Sequence, residues 1–207
     1  MCFNYKYVFF VFTLSLFIQK AIGQEVISFK DTINTYNAYR IKTDKIGMKT
    51  LGLWGIASIA TGSIGYFTSN NNNALRYFNA TNAACGIINT TIAAISLNNI
   101  NTEATMKLNP NQYYKLYLAD KQQFLLNAGI DVVLIGGSLF LLQQGKNDIK
   151  NTDLYNGIGK SIVIQGVFRL MLDDIIYTMH LRNNSKWVQI MHEINISNYG
   201  IGLNHRI

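Results

Sequence analysis

Proline, cysteine and charged residues are scarce in this chain, and each scarcity excludes a class of protein. Proline occurs once in 207 residues and cysteine twice, which leaves neither a proline-rich linker nor a disulfide framework. Cys2 and Cys85 have no neighbour at metal-ligand spacing. Charged residues make up 14% of the chain, whereas soluble domains carry about 25%. The composition therefore favours helices in lipid over a soluble domain.

Catalytic signatures are also missing from the sequence. It contains no glycine-rich phosphate loop followed by Lys and Ser or Thr, and no nucleophile elbow. His192 and Glu193 stand without a second histidine at metal spacing, which is typical of a surface tail. A membrane hydrolase needs a nucleophile beside a base, and the apolar runs show no such pair. The sequence predicts no enzyme, no cofactor and no metal site.

The basic balance of the chain indicates lipid rather than nucleic acid. The formal net charge is +7, but Lys and Arg lie at the edges of apolar runs and not on one basic helix. Anionic lipid headgroups favour this placement. We expect the lipid bilayer as a partner and no nucleic acid. A second copy of the chain, or another membrane protein, is the other expected partner, through glycine-rich helix faces.

Residues 1–23 have the pattern of a signal peptide. Lys6 precedes an apolar core, and Ala21-Ile22-Gly23 forms a small-x-small cleavage motif. The core, residues 8–18, is shorter than the roughly 20 residues that a membrane span needs. The alternative is an uncleaved N-terminal helix, which would make five spans.

Residues 24–47 predict an amphipathic juxtamembrane segment. Its apolar residues recur at helical spacing: Val26, Phe29, Ile33 and Tyr36. A basic group follows just before the next apolar run: Arg40, Lys42, Lys45 and Lys49. Two interpretations stay open for this group, contact with lipid headgroups and a solvated basic linker.

Residues 48–180 contain four apolar runs, which predict four transmembrane helices near 48–67, 79–97, 124–142 and 158–180. The fold class is therefore an all-α, multi-pass membrane bundle, placed in the inner (cytoplasmic) membrane. Ser58 and Gly62 have the small-xxx-small spacing that permits tight helix crossing. Residues 181–207 form a polar C-terminal tail. Its weak alternation suits a short strand or an ordered interfacial tail, at Ile194, Ile196, Ile201 and Leu203.

The second run is unusually polar but carries no charge. Asn82, Gly86 and Asn89 share one helical face. Amide groups in lipid need hydrogen-bond partners, so this face should point into the bundle. Helix packing is the favoured interpretation and a path for a solute is the alternative.

Spans three and four place charged residues at membrane depth. Asp131 and Asp173 each lie seven residues from the same end of the predicted hairpin, roughly 10 Å deep at about 1.5 Å per residue. Arg169 lies one turn deeper. Because an isolated charge in a bilayer costs several kcal/mol, we expect these three to form one network. Asn127 and Gln165 share their helical faces and should add hydrogen bonds.

This network has two interpretations. In the first, the network holds the hairpin in register, and the protein has an accessory or structural role in the bacterial envelope. Alternatively, Asp131, Arg169 and Asp173 serve a small ion, proton or solute carrier or channel. Arg169 compensates one carboxylate, which leaves the other free to titrate.

Short motifs spread over residues 46–180 carry a family resemblance: Arg76-Tyr77-Phe78, Asn82, Asn89, Asn127-Ala128-Gly129-Ile130-Asp131, Gln165-Gly166, Asp173 and Tyr177. With them the chain resembles a family of uncharacterised bacterial envelope proteins with an export signal and four spans. The resemblance implies a membrane protein and supplies no catalytic residues. It also implies an apolar residue where this chain has Arg169.

Two features of the sequence predict opposite orientations of the chain in the membrane. A cleaved signal peptide leaves Gln24 outside the inner membrane. The segments that would then be external carry most of the Lys and Arg, whereas positive residues prefer the cytoplasmic side.

Overall fold

The structure is a computed structural model that describes residues 5–106, 110–197 and 200–203. Side chains are described between residues 34 and 183, outside 107–111, 114, 117 and 121. Over these residues the chain forms four helices and a short hairpin, in the order α1 Tyr5–Thr68, α2 Asn73–Thr105, α3 Pro110–Asn147, α4 Thr152–Glu193, β1 Ile194–Ser197 and β2 Gly200–Leu203. The helical fold class is confirmed.

The helices are longer than the sequence pattern predicted, which corrects three boundaries. Helix α1 runs without a break from Tyr5, within the predicted signal peptide, through the juxtamembrane segment and the first span. Helix α2 continues into the predicted loop after residue 97, and α4 continues to Glu193 in the predicted polar tail. Because α4 meets no Gly or Pro between residues 167 and 199, its hydrogen bonds propagate past the end of the apolar run.

The residues at two helix starts explain why the helices begin there. The polar turn before α2 ends at Asn72, whose side chain accepts a hydrogen bond from the Leu75 backbone N–H at 2.9 Å. Pro110 is the first residue of α3, where its fixed φ suits a helix start. The alternating tail forms two antiparallel strands, with Ile194 opposite Leu203.

Helix α4 is the element that joins the others. It contacts α1, α2 and α3, and α1 lies along α2. Helix α3 packs mainly along α4, so it lies at the side of the bundle. A small apolar core lies between α1, α2 and α4, formed by Leu51, Ala93, Leu172 and Ile176.

Small residues let α1 and α2 cross at backbone distance. A Cβ atom added at Gly62 would lie 2.6 Å from Ala83 N and Asn79 O, and one added at Gly86 would lie 2.6 Å from Gly55 O. The small-xxx-small spacing at Ser58 and Gly62 therefore falls on a true crossing. Three glycines of α3 differ, because nothing lies within 4 Å of an added Cβ at Gly129, Gly136 and Gly137, whereas Gly145 lies against Tyr155 and Asn156.

Within the described part of the chain, two stretches are long and apolar enough to cross a membrane, Asn73–Thr105 and Leu118–Asn147. Only 17% and 11% of their most apolar windows are buried inside the chain. These stretches are therefore not the buried core helices of a globular domain.

The crossing makes a prediction for glycine replacement. Gly62→Ala should lower the free energy of unfolding by about 1–3 kcal/mol, because a methyl group cannot fit against the α2 backbone. Gly136→Ala is the control, with open space and a gain of about 0.5–1 kcal/mol in helix propensity. Thermal unfolding in a mild detergent checks both. A Gly62→Ala protein as stable as Gly136→Ala would contradict the crossing.

Candidate functional site

Among the described residues, several polar side chains are fully buried while many large apolar ones are exposed. The fully buried side chains with the largest volumes are all polar: Asn89, Thr43, Asp131, Ser138 and Ser161. Large apolar side chains are exposed on the helices, with Val133 73% and Phe67 75% accessible. Some of the buried polar side chains belong to three separate centres, and these are the candidate sites.

The first centre is the Gln165 hub, in which one carboxamide of α4 binds α1 and α2. Its Oε1 accepts hydrogen bonds from Trp54 Nε1 at 2.8 Å and Asn89 Nδ2 at 3.0 Å. Its Nε2 donates to Ser58 Oγ at 3.0 Å and to Asn82 Oδ1 at 2.5 Å. Two donors and two acceptor positions are all that a carboxamide offers. The hub is therefore saturated, which suits a structural role.

The hub contains most of the predicted polar face of α2. Asn82 and Asn89 point into the bundle, and Gly86 lies against the α1 backbone. The predicted grouping of Gln165 with Arg169 is wrong. Each step of four residues turns about 40° around a helix of 3.6 residues per turn, so Gln165 reaches α1 and α2 while Arg169 reaches α3.

The second centre is the Asp131 site, between α3 and α4. Arg169 Nε lies 3.0 Å from Asp131 Oδ1, and the Asp173 carboxyl lies within hydrogen-bonding reach of Asp131. Asp131 is 0% exposed and Arg169 20%. Three of the five residues that we predicted for this network therefore lie together in the structure, as residue counting from the ends of the spans indicated. Among the described residues, no donor makes a well-formed hydrogen bond to either Asp131 oxygen.

The third centre, the Arg40 cluster, was not predicted. Arg40 is 3% exposed and pairs with Glu103 Oε2 at 2.8 Å, Asp120 Oδ2 at 3.3 Å and Asp44 Oδ2 at 3.6 Å. His180 Nε2 lies 2.8 Å from Asp44 Oδ1. One residue or more from each of the four helices meets here. Both interpretations of Arg40, headgroup contact and solvated linker, are therefore wrong for this residue.

Electrostatics keep Arg40 charged. Burial opposes the charge, but the carboxylates of Asp120, Glu103 and Asp44 outweigh it and raise the pKa of Arg40 above its ordinary value. The guanidinium can therefore act as a permanent link between α1, α2 and α3 at this end of the bundle.

A cavity of about 180 Å³ adjoins the Arg40 cluster. Polar residues of three helices line it, including Ser96, Asn99, Gln123 and Asn127. Asn127, which we expected to support Asp131, thus belongs to the wall of this cavity. In the described ranges, no group of three or more His, Cys, Asp or Glu is placed to hold a metal ion.

A signal for the Arg40 cluster exists in the sequence, but it needs the helix lengths. Glu103 and Asp120 lie beyond the ends of the apolar runs, and Arg40 lies two turns before the first. They meet because α1, α2 and α3 continue as helices past those ends.

The Arg40 cluster predicts strong coupling between its members. Arg40→Met should cost about 2 kcal/mol of stability, because it leaves three partly buried carboxylates without their counter-charge. The double variant Arg40→Met, Glu103→Gln should cost less than the sum of the single variants by about 1 kcal/mol. Thermal unfolding in detergent measures all three, with exposed Lys49→Met as the charge-matched control. Strictly additive effects would contradict the cluster.

Comparison with known proteins gives a family but no activity. A model for a family of unknown function, DUF6992, matches residues 50–174. No curated protein and no solved structure matches the chain. The matched region contains the Gln165 hub and the Asp131 site, whereas Arg40, Asp44 and His180 lie outside it.

Proposed function

The chain belongs to DUF6992, a family of unknown function, and we propose that it is a four-span integral protein of the inner membrane. Its role in the bacterial envelope is accessory or structural. In this proposal residues 1–23 are removed as a signal peptide, and the remainder of α1 and each of α2, α3 and α4 crosses the bilayer once.

The single observation that carries this proposal is the reversed distribution of polarity. In water, burial selects apolar side chains and leaves charged and amide groups outside. Here Asn89, Asp131 and Gln165 are at most 4% exposed, while Leu53 and Val133 are at least 68% exposed. Lipid provides a solvent in which exposed apolar groups cost nothing and polar groups seek each other.

The saturated Gln165 hub supports a structural role over a solute path. A path needs polar groups that are free to exchange partners with the solute, but every donor and acceptor of this carboxamide is engaged. The tight α1–α2 crossing also leaves no space between those helices. The proposed partners are the bilayer and, at the unoccupied α3 glycines, a second copy or another membrane protein.

Cysteine accessibility tests the membrane proposal. In a background with Cys2 and Cys85 replaced by serine, Val133→Cys should resist an impermeant maleimide in native membranes, because a thiol in hydrocarbon does not ionise. Ile149→Cys is the matched control, since Ile149 is 92% exposed in the α3–α4 turn and Val133 is 73% exposed within α3. Its thiol should react from one side of the membrane.

Equal labelling of the two cysteines in intact membranes, or recovery of the chain without membranes, would contradict the proposal. The mass of the purified chain from the same preparation decides whether residues 1–23 are removed. It thereby separates four spans from five.

A second candidate function is a small ion or proton carrier that uses the Asp131 site. The observation in its favour is a fully buried carboxylate without a well-formed hydrogen bond from a described donor. Ionisable groups at membrane depth are functional candidates because their insertion is costly.

A further inference from the structure

The Asp131 carboxylate has an unmet need for hydrogen bonds. It is 0% exposed, and neither oxygen accepts a well-formed hydrogen bond from any donor in the described ranges. Arg169 Nε supplies charge at 3.0 Å from Oδ1, but not the alignment that a hydrogen bond requires. A buried, charged oxygen left in this state costs more than an ordinary lost hydrogen bond.

The neighbouring group that can meet this need is the Asp173 carboxyl. It lies within hydrogen-bonding reach of Asp131 across the α3–α4 interface. Two carboxylates cannot bond to each other, because both are acceptors. A proton on one of them converts the contact into an O–H···O bond, which is the short, charge-assisted kind.

Charge counting leads to the same arrangement. Among the described residues, the titratable groups that face the site are two carboxyls, the Arg169 guanidinium and, from α2, the Cys85 thiol near Arg169. With both carboxylates ionised the site would carry a net charge of −1. Carboxylates this close do not both ionise in a poorly solvated place. One bound proton makes the site neutral.

We propose that Asp131 and Asp173 share one proton, and that Arg169 is the fixed counter-charge of this proton-binding site. The proton enters and leaves through Asp173, which is partly exposed, whereas Asp131 is not. Release returns one proton to the solvent side and leaves two carboxylates beside one guanidinium. Proton movement through this site rests on the proposed carrier function. The shared proton itself depends only on the contacts between α3 and α4.

Infrared spectroscopy of the full chain in lipid vesicles tests the shared proton. At neutral pH the spectrum should show the C=O band of one protonated carboxyl, shifted when H₂O is exchanged for D₂O. The band should be lost in Asp131→Asn and in Asp173→Asn. It should remain in Asp174→Asn, the control, because Asp174 is exposed and adjacent in sequence.

Arg169→Gln provides an independent arm. Without the guanidinium, one shared proton leaves an uncompensated buried charge, so the second carboxyl should also be protonated and the band should grow about twofold. Absence of the band from the wild-type chain, its retention in either aspartate variant, or an unchanged band in Arg169→Gln would overturn the proposal. Retained helicity, measured by circular dichroism, shows which variants fold. If an aspartate variant unfolds, the wild-type and Arg169→Gln spectra decide the result.

Proton flux into the same vesicles, followed with an internal pH-sensitive dye, separates the site from the carrier. Flux that is present in the wild type and in Asp174→Asn, and lost in Asp173→Asn, would support the carrier candidate. A carboxyl band with no flux above protein-free vesicles would keep the shared proton and reject the carrier. Flux without the band would reject the shared proton.

Discussion

The four hydrogen bonds of the Gln165 carboxamide hold α1, α2 and α4 at one level of the bundle, and the tight glycine crossing depends on that alignment. Trp54 donates to the carboxamide and stacks its ring on Phe168 with 4.0 Å between centroids. Asn89 reaches it from α2. In the proposed lipid environment these amides have no competing partner, and the hub fixes the rotation of each helix about its axis.

The other two polar centres work at different depths. Along α4, the hub is followed toward His180 by the Asp131 site on one face and the small apolar core on another. The carboxylates of the Arg40 cluster are partly exposed, so solvent can reach the excess negative charge there. The Gln165 hub is uncharged and lies deep in the bundle, whereas the Arg40 cluster is charged and lies at its end. This order is expected because burying a charge is costly. The Asp131 site departs from this order, and a shared proton would make it neutral.

The sequence predicted part of this arrangement, and the reasons for success and failure are physical. The position of Asp131, Arg169 and Asp173 followed from residue counting, because an antiparallel hairpin of regular rise keeps equal distances from a shared end. We predicted that Asn82 and Asn89 face into the bundle because their amide groups need hydrogen-bond partners. Gln165 was assigned to the wrong group because spacings of four drift around the helix.

The Arg40 cluster could not be predicted from local patterns. Its members belong to four helices, and their meeting depends on helices that outlast the apolar runs. The same extension made the predicted loop after residue 97 and the predicted tail partly helical.

The most direct measurement of the central claim, that polar contacts hold an apolar-faced bundle together, is the unfolding free energy of Gln165→Leu. Unfolding in mixed detergent micelles should show a loss of about 2 kcal/mol, since interhelical hydrogen bonds average about 0.6 kcal/mol each in membranes. Gln143→Leu, at an exposed position of α3, should be within about 0.5 kcal/mol of the wild type. Equal stability of the two variants would contradict the account.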